Sequence, residues 1–103
     1  MKASNDFSII AGINRLIHEP ARMAVISLLS VVEESDFTFL MNSTGLTQGN
    51  LSSHLAKLEE AGYVEIEKTF KGKRPHTVAR LTDTGQKELN QYIKTIKEFL
   101  NYF

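Results

Sequence analysis

Thr44-Gly-Leu-Thr-Gln-Gly-Asn-Leu-Ser-Ser-His-Leu-Ala-Lys-Leu-Glu-Glu-Ala-Gly-Tyr-Val64 carries the clearest structural signals in this chain of 103 residues. Gly45 stands where a preceding helix stops, because glycine tolerates the left-handed backbone that closes a helix. Thr47 suits the cap of a new helix, since its hydroxyl can accept from an orphan amide of the first turn. Leu51, Leu55 and Leu58 fall on one stripe of that helix at ~100° per residue, and Gly62 ends it. Two helices joined by the tight turn Thr44-Gly45-Leu46 are the result.

Upstream, Phe7, Ile10, Ile13, Leu16 and Ile17 recur at spacings of three and four, which predicts a short amphipathic helix over 7–17. Pro20 opens a second helix, being suited to a first helical position. Its residues 22–32 are apolar on most sides, which predicts the buried centre of the fold. Glu33-Glu34-Ser35-Asp36 breaks the pattern, and 37–44 has room for a short helix only, after a residue or two of extended chain. Downstream, residues 63–70 read as a strand, with Val64 and Ile66 alternating against Glu65 and Glu67. Residues 71–75 read as a turn, 76–81 as a returning strand, and Thr82 or Asp83 caps a final helix running nearly to Phe103. A helix pair followed by a β-hairpin describes a winged helix-turn-helix, so the expected class is α+β and mainly helical.

The length supports one domain, expected over 1–103, with helix-turn-helix at 37–61 and wing hairpin at 63–81. With no cysteine, disulfides, thiolate metal sites and cysteine nucleophiles are excluded. The most apolar stretch, 24–32, has nine residues where a bilayer span takes roughly 20, and the first residues lack a secretory pattern. No membrane association and a cytoplasmic location are therefore expected.

Formal net charge is zero, with 12 Lys and Arg against 12 Asp and Glu, but the charges are unevenly spread. From Lys68 to Arg80 there are five cations (Lys68, Lys71, Lys73, Arg74 and Arg80), with His76 and no carboxylate. The rest of the chain carries 7 cations and 12 acidic residues. A basic tip on a two-stranded ribbon can reach flanking phosphates or the minor groove, with Arg74 the first candidate for insertion. On the preceding helix Gly49, Asn50, Ser53 and Lys57 point outward, with Gln48 and Ser52 on one flank. Amide, hydroxyl and ammonium groups of this kind hydrogen-bond base edges or phosphate, Gly49 permits close backbone approach, and the helix start at Thr47 favours a phosphate.

Leu89, Ile93, Ile96, Leu100 and Phe103 are spaced four, three, four and three, a coiled-coil-like seam widened by Tyr92 and Phe99. Together with Phe7, Ile10, Ile13 and Ile17 they are assigned to a homodimer interface built from terminal helices 1–18 and 83–103. A two-fold dimer would set its recognition helices about 34 Å apart, one duplex turn. His18, His54 and His76 lie in different elements without ligand spacing, and His54 at the edge of the leucine stripe reads as half-buried and structural. No metal or cofactor is expected. No nucleophile–base order, paired carboxylates or Gly-rich phosphate loop stands out, so no catalysis is expected.

Residues 44–64, together with Lys68-Thr-Phe-Lys-Gly-Lys-Arg-Pro-His-Thr77, Leu81-Thr-Asp-Thr-Gly85 and the upstream Pro20-Ala-Arg22, resemble the small winged-helix transcriptional regulators of bacteria and archaea. The resemblance covers about 20–89 and is closest to the MarR-like group, with ArsR-like proteins nearby. It implies a dimeric repressor or activator on a pseudo-palindromic operator in double-stranded DNA. It also implies that Gln48, Asn50, Ser52, Ser53 and Lys57 face the major groove and the wing faces the minor groove. The alternative is a winged-helix protein-interaction module, favoured by the neutral total charge and by Glu59 and Glu60 at the end of the recognition helix.

Overall fold

Side chains set where each helix begins in the computed structural model, which describes residues 7–103. Glu19 caps α1 (Pro20–Val31), its Oε1 accepting from the Arg22 amide at 2.8 Å, and Pro20 takes the first helical turn. Asp36 caps α2 (Phe37–Thr44) by accepting from the Phe39 amide at 2.7 Å. Thr47 caps α3 (Gln48–Glu60) through the Asn50 amide, and Thr82 caps α4 (Asp83–Leu100) through the Gly85 amide. Gly45 closes α2 at φ 74°, with its amide donating to the Met41 carbonyl at 3.0 Å. Asp36, Thr47, Thr82 and Gly45 are of the residue types that such caps and stops call for, while Glu19 caps α1 with a longer carboxylate.

The wing is an antiparallel pair, β2 (Val64–Lys71) and β3 (Arg74–Leu81). Its turn has only two residues between Lys71 and Arg74, and the first of them, Gly72, has φ 66° as a tight hairpin turn requires. The expected five-residue turn was longer because Pro75 reads as a turn residue. In the structure Pro75 sits inside β3, opposite Phe70. That position tolerates a missing N–H because the third strand stops short of it. The third strand, β1 (Ser35–Asp36), pairs only with Ala79 and Val78, giving the sheet order β1-β3-β2. The architecture is the expected α+β winged helix, with a three-stranded sheet where a hairpin alone was expected.

At the amino-terminal side the expected amphipathic α-helix is instead a 3₁₀ helix, Phe7–Gly12. Phe7, Ile10 and Ile13 recur every three residues, which is the 3₁₀ period, not the α period. Asn14 then diverts the chain. Its Oδ1 accepts from the Ile17 amide at 3.1 Å, and its Nδ2 donates to the Tyr63 hydroxyl at 2.9 Å and to Glu88 Oε1 at 3.1 Å.

α1 is central, touching α2, α3, β3 and α4, but it is buried on one side only. Val25, Ile26 and Leu29 are in the core, while Val31, on the opposite side, is 77% exposed. Leu51, Leu55 and Leu58 of α3 complete that core with Val64 and Ala79 of the sheet. Four residues assigned to a dimer surface belong to it as well. Ile13, Ile17, Leu89 and Tyr92 are at most 8% exposed within one chain, so that assignment is corrected: their apolar area is already covered. Tyr92 also accepts or donates across 2.8 Å to His18 Nδ1, and burial raises its phenol pKa. Ile10 and Ile96 pack partly on the same core. Residues 1–6 of the assigned segment 1–18 lie outside the described residues.

Gly85 is where α4 meets the junction of α3 and β2. It is buried, and a Cβ there would collide with the Tyr63 carbonyl and the Leu81 side chain. The same carbonyl accepts from the Thr82 amide at 3.0 Å, so it is held in place. Gly85→Ala is therefore expected to destabilise the chain by about 1–3 kcal/mol, as overpacking does. Thermal melting followed by circular dichroism would read this as a lower Tm, on the order of 4–8 °C per kcal/mol. An unchanged Tm would show that α4 docks loosely.

Candidate nucleic-acid interface

Because Leu51, Leu55 and Leu58 point into the core, the rest of α3 is turned outward, and Thr47, Gln48, Gly49, Asn50, Ser52, Ser53 and Lys57 are all exposed. They do not form one cluster. Gln48 and Ser52 line a cleft of about 480 Å³ between α3 and the wing, shared with Lys68, Pro75, His76 and Thr77. Lys57 lies on the other flank of the helix, in a shallow depression with Leu16, Glu60 and Ala61. Gly49 and Ser53 fall between the two flanks at ~100° per residue.

Thr47 uses its Oγ1 to accept from the Asn50 amide at 3.2 Å. Its hydroxyl hydrogen remains a donor by chemistry, since a hydroxyl both donates and accepts. Three cations, Lys71, Lys73 and Arg74, crowd the exposed end of the wing, with Lys71 directly opposite Arg74. The fifth wing cation, Arg80, is elsewhere in character. Its Nη2 donates to Glu67 Oε1 at 3.0 Å and to Glu34 Oε1 at 3.2 Å, at the base of the wing. Those two carboxylates hold its pKa above the ordinary value, Glu67 first. Arg80, expected among the DNA contacts, is thus ion-paired within the chain at the base of the wing.

His54 is half-buried and structural. Arg22 Nη1 donates to its Nδ1 at 3.1 Å, and Glu19 Oε1 is 4.0 Å from the same nitrogen. Arg22 Nε also donates to the Leu16 carbonyl at 2.5 Å. This cluster ties α3 to the start of α1, where the Arg22 amide, as the main cause, holds the Glu19 carboxyl below its usual range.

Several residues of the cleft were not assigned to the DNA site by sequence reasoning, which weighed Glu59 only for the protein-interaction alternative. Glu59 lines it, as do Asp36 and Thr38 from the start of α2. The signal for Glu59 was available, because Gln48, Ser52 and Glu59 share a stripe at helical spacing. Asp36 and Thr38 come from 10 and more residues before α3, and only the tertiary fold brings them to the cleft. Among the described residues no group of three or more His, Cys, Asp or Glu could hold a metal ion. Nor, among them, is any helix long and apolar enough to cross a membrane.

Known proteins share this arrangement. Residues 21–100 match the model of the winged helix DNA-binding domain family. An uncharacterized protein of Methanocaldococcus jannaschii is 34% identical over 82 residues, covering 80% of this chain and 89% of that protein. Among solved structures, a transcriptional regulator homologue from Pyrococcus horikoshii OT3 superposes with a TM-score of 0.81 at 28% identity, covering 91% of each chain. A MarR-family transcriptional regulator from Silicibacter pomeroyi shares the fold, with a TM-score of 0.68 at 20% identity over 91% of this chain and 62% of that one. With the helix-turn-helix, the wing and the cleft between them all inside the matched span, the chain belongs to the winged helix DNA-binding domain family and has the build of its small regulators.

Proposed function

We infer that this chain is a sequence-specific transcriptional regulator that binds a pseudo-palindromic operator as a homodimer. In this reading α3 enters the major groove and the basic wing reaches the minor groove or its flanking phosphates. One observation carries it: base-reading side chains of α3, Gln48 and Ser52, share a cleft with Lys68 and His76 of the wing. An amide can pair with adenine through two hydrogen bonds, and an ammonium beside it can meet phosphate. The neighbouring Asp36 and Glu59 carboxylates favour a second reading, a protein-interaction module. Asp36, however, is committed to capping α2.

The dimer surface we infer is narrower than periodicity alone assigns. Phe7, Phe99 and Phe103 form an aromatic cluster with Tyr102, with ring centroids 5.2–6.2 Å apart. Phe103 is 86% exposed and Leu100 is 58% exposed, and Ile93 extends the patch along α4. The radius of gyration is 16.1 Å, against about 13 Å for a globular domain of this size. Elements thus project from the body, and a projecting apolar end is stabilised by a second copy.

Fluorescence anisotropy with duplexes selected from a random pool tests the reading. Lys71→Ala and Arg74→Ala are each expected to lower the slope of log K against log salt by about 0.9, with sequence preference kept. Gln48→Ala and Lys57→Ala should leave the fold intact while weakening binding, and Gln48→Ala should reduce discrimination by about 1–3 kcal/mol at one base pair. Wild-type binding to no duplex even at low salt would overturn the reading and favour the protein-interaction module.

Leu100→Glu with Phe103→Glu is expected to convert a dimer to a monomer in light scattering, without unfolding it. The same change should weaken operator binding, because two half-sites are then engaged independently. A wild-type chain that is monomeric at the concentrations that saturate the operator would overturn the homodimer.

A further inference from the structure

On β2 the side chains alternate, so Val64, Ile66, Lys68 and Phe70 share one face of the wing, and Pro75 lies opposite Phe70 on that face. Near the body this face is core: Val64 is buried and Ile66 packs against it. Farther out Ile66, Lys68 and Pro75 line the cleft with α3. Phe70 is the next residue outward on the same face, and it is 70% exposed. No carboxylate occurs between Lys68 and Arg80, while Lys68, Lys71, Lys73 and Arg74 surround the ring in sequence. A large aromatic side chain in water on a cationic strand tip contributes nothing to the core. Its surroundings specify a polyanionic partner, and its face specifies the same side as the outward residues of α3.

We propose that Phe70, backed by Pro75, is an apolar wedge that enters the minor groove of duplex DNA beside the operator half-site and partly unstacks one base step. This rests on the DNA-binding reading above and adds a specificity determinant to it. Apolar side chains inserted between base steps bend the duplex, and the cost of unstacking depends on the step. Pyrimidine–purine steps such as TA and CA/TG yield most easily, and A-tracts resist. The chain therefore reads the flanking sequence through its deformability, with Lys71 and Arg74 holding the adjacent phosphates.

The test uses the full chain and a duplex selected by the wild-type protein from a random pool, with 2-aminopurine placed in turn at the flanking steps. Binding of the wild type is expected to raise the fluorescence at one flanking step, and replacing that step by an A-tract should weaken binding about tenfold. Phe70→Ala is expected to abolish the rise, to bind with similar affinity to both duplexes, and to keep the wild-type salt slope and Tm. Phe70→Leu should retain most of the rise, and Arg74→Ala should retain it while losing salt slope. Equal fluorescence and equal flank preference in wild type and Phe70→Ala overturn the wedge while leaving DNA binding standing. No retention of any duplex by the wild type overturns the DNA-binding reading itself, and the wedge with it.

Discussion

Burial of Leu51, Leu55 and Leu58 fixes the rotation of α3, and most of the surface depends on that angle. All three are at most 2% exposed, and burying a leucine is favourable by roughly 1.5–3 kcal/mol. Turning the helix by one position would exchange leucines for Ser52 or Lys57, at the added cost of burying unpaired polar groups. Gln48 and Ser52 thus look toward the wing and Lys57 away from it as a consequence of core packing. The sheet is referred to the same core through Val64 and Ala79, which holds the wing at a set distance from the helix.

Signals that act over three or four residues were legible in the sequence. Thr47 and Thr82 cap the helices after them, and Gly45 stops α2 in the left-handed region, whereas the Asp36 cap lay in a stretch that read only as a break. The leucine stripe and the alternation of Val64 and Ile66 placed the core faces of α3 and β2. What was not legible depends on partners far along the chain. A two-residue strand such as Ser35–Asp36 has no periodicity, and it exists because Ala79 and Val78 offer it hydrogen bonds. Pro75 punctuates sequence as a turn residue, yet the short reach of β1 leaves its position in β3 free of a second strand. Asn14 bonds to residues 49 and 74 positions away, and no local pattern announces either contact.

Charge counting had the same blind spot. Arg80 and Lys71 weigh equally in the sequence, but Arg80 meets Glu67 across the hairpin and Glu34 from before α2. The cationic surface is therefore the outer half of the wing, from Lys68 to Arg74, and its base is locally balanced. Glu59 is the converse case. Counted as one more acid it weighs against a polyanionic ligand. Placed in the cleft beside Gln48 and Ser52, it is a hydrogen-bond acceptor of the kind that pairs with the cytosine amino group.

The apolar seam of α4 shows most plainly why periodicity cannot separate a core from an interface. Heptad spacing states that a stripe is covered, and is silent on what covers it. Along this helix the cover changes. Leu89 and Tyr92 lie against α1 and the segment after the 3₁₀ helix, whereas Leu100 and Phe103 lie beyond them. The first turns of α4 are buried within one chain, whereas Leu100 at its end is 58% exposed. Phe7 returns to meet Phe99 and Phe103 and covers part of this end, at the cost of remaining 48% exposed itself. Among the described residues the end of the seam keeps exposed apolar area, and in the homodimer inferred above a second copy presenting the same end would cover it by symmetry.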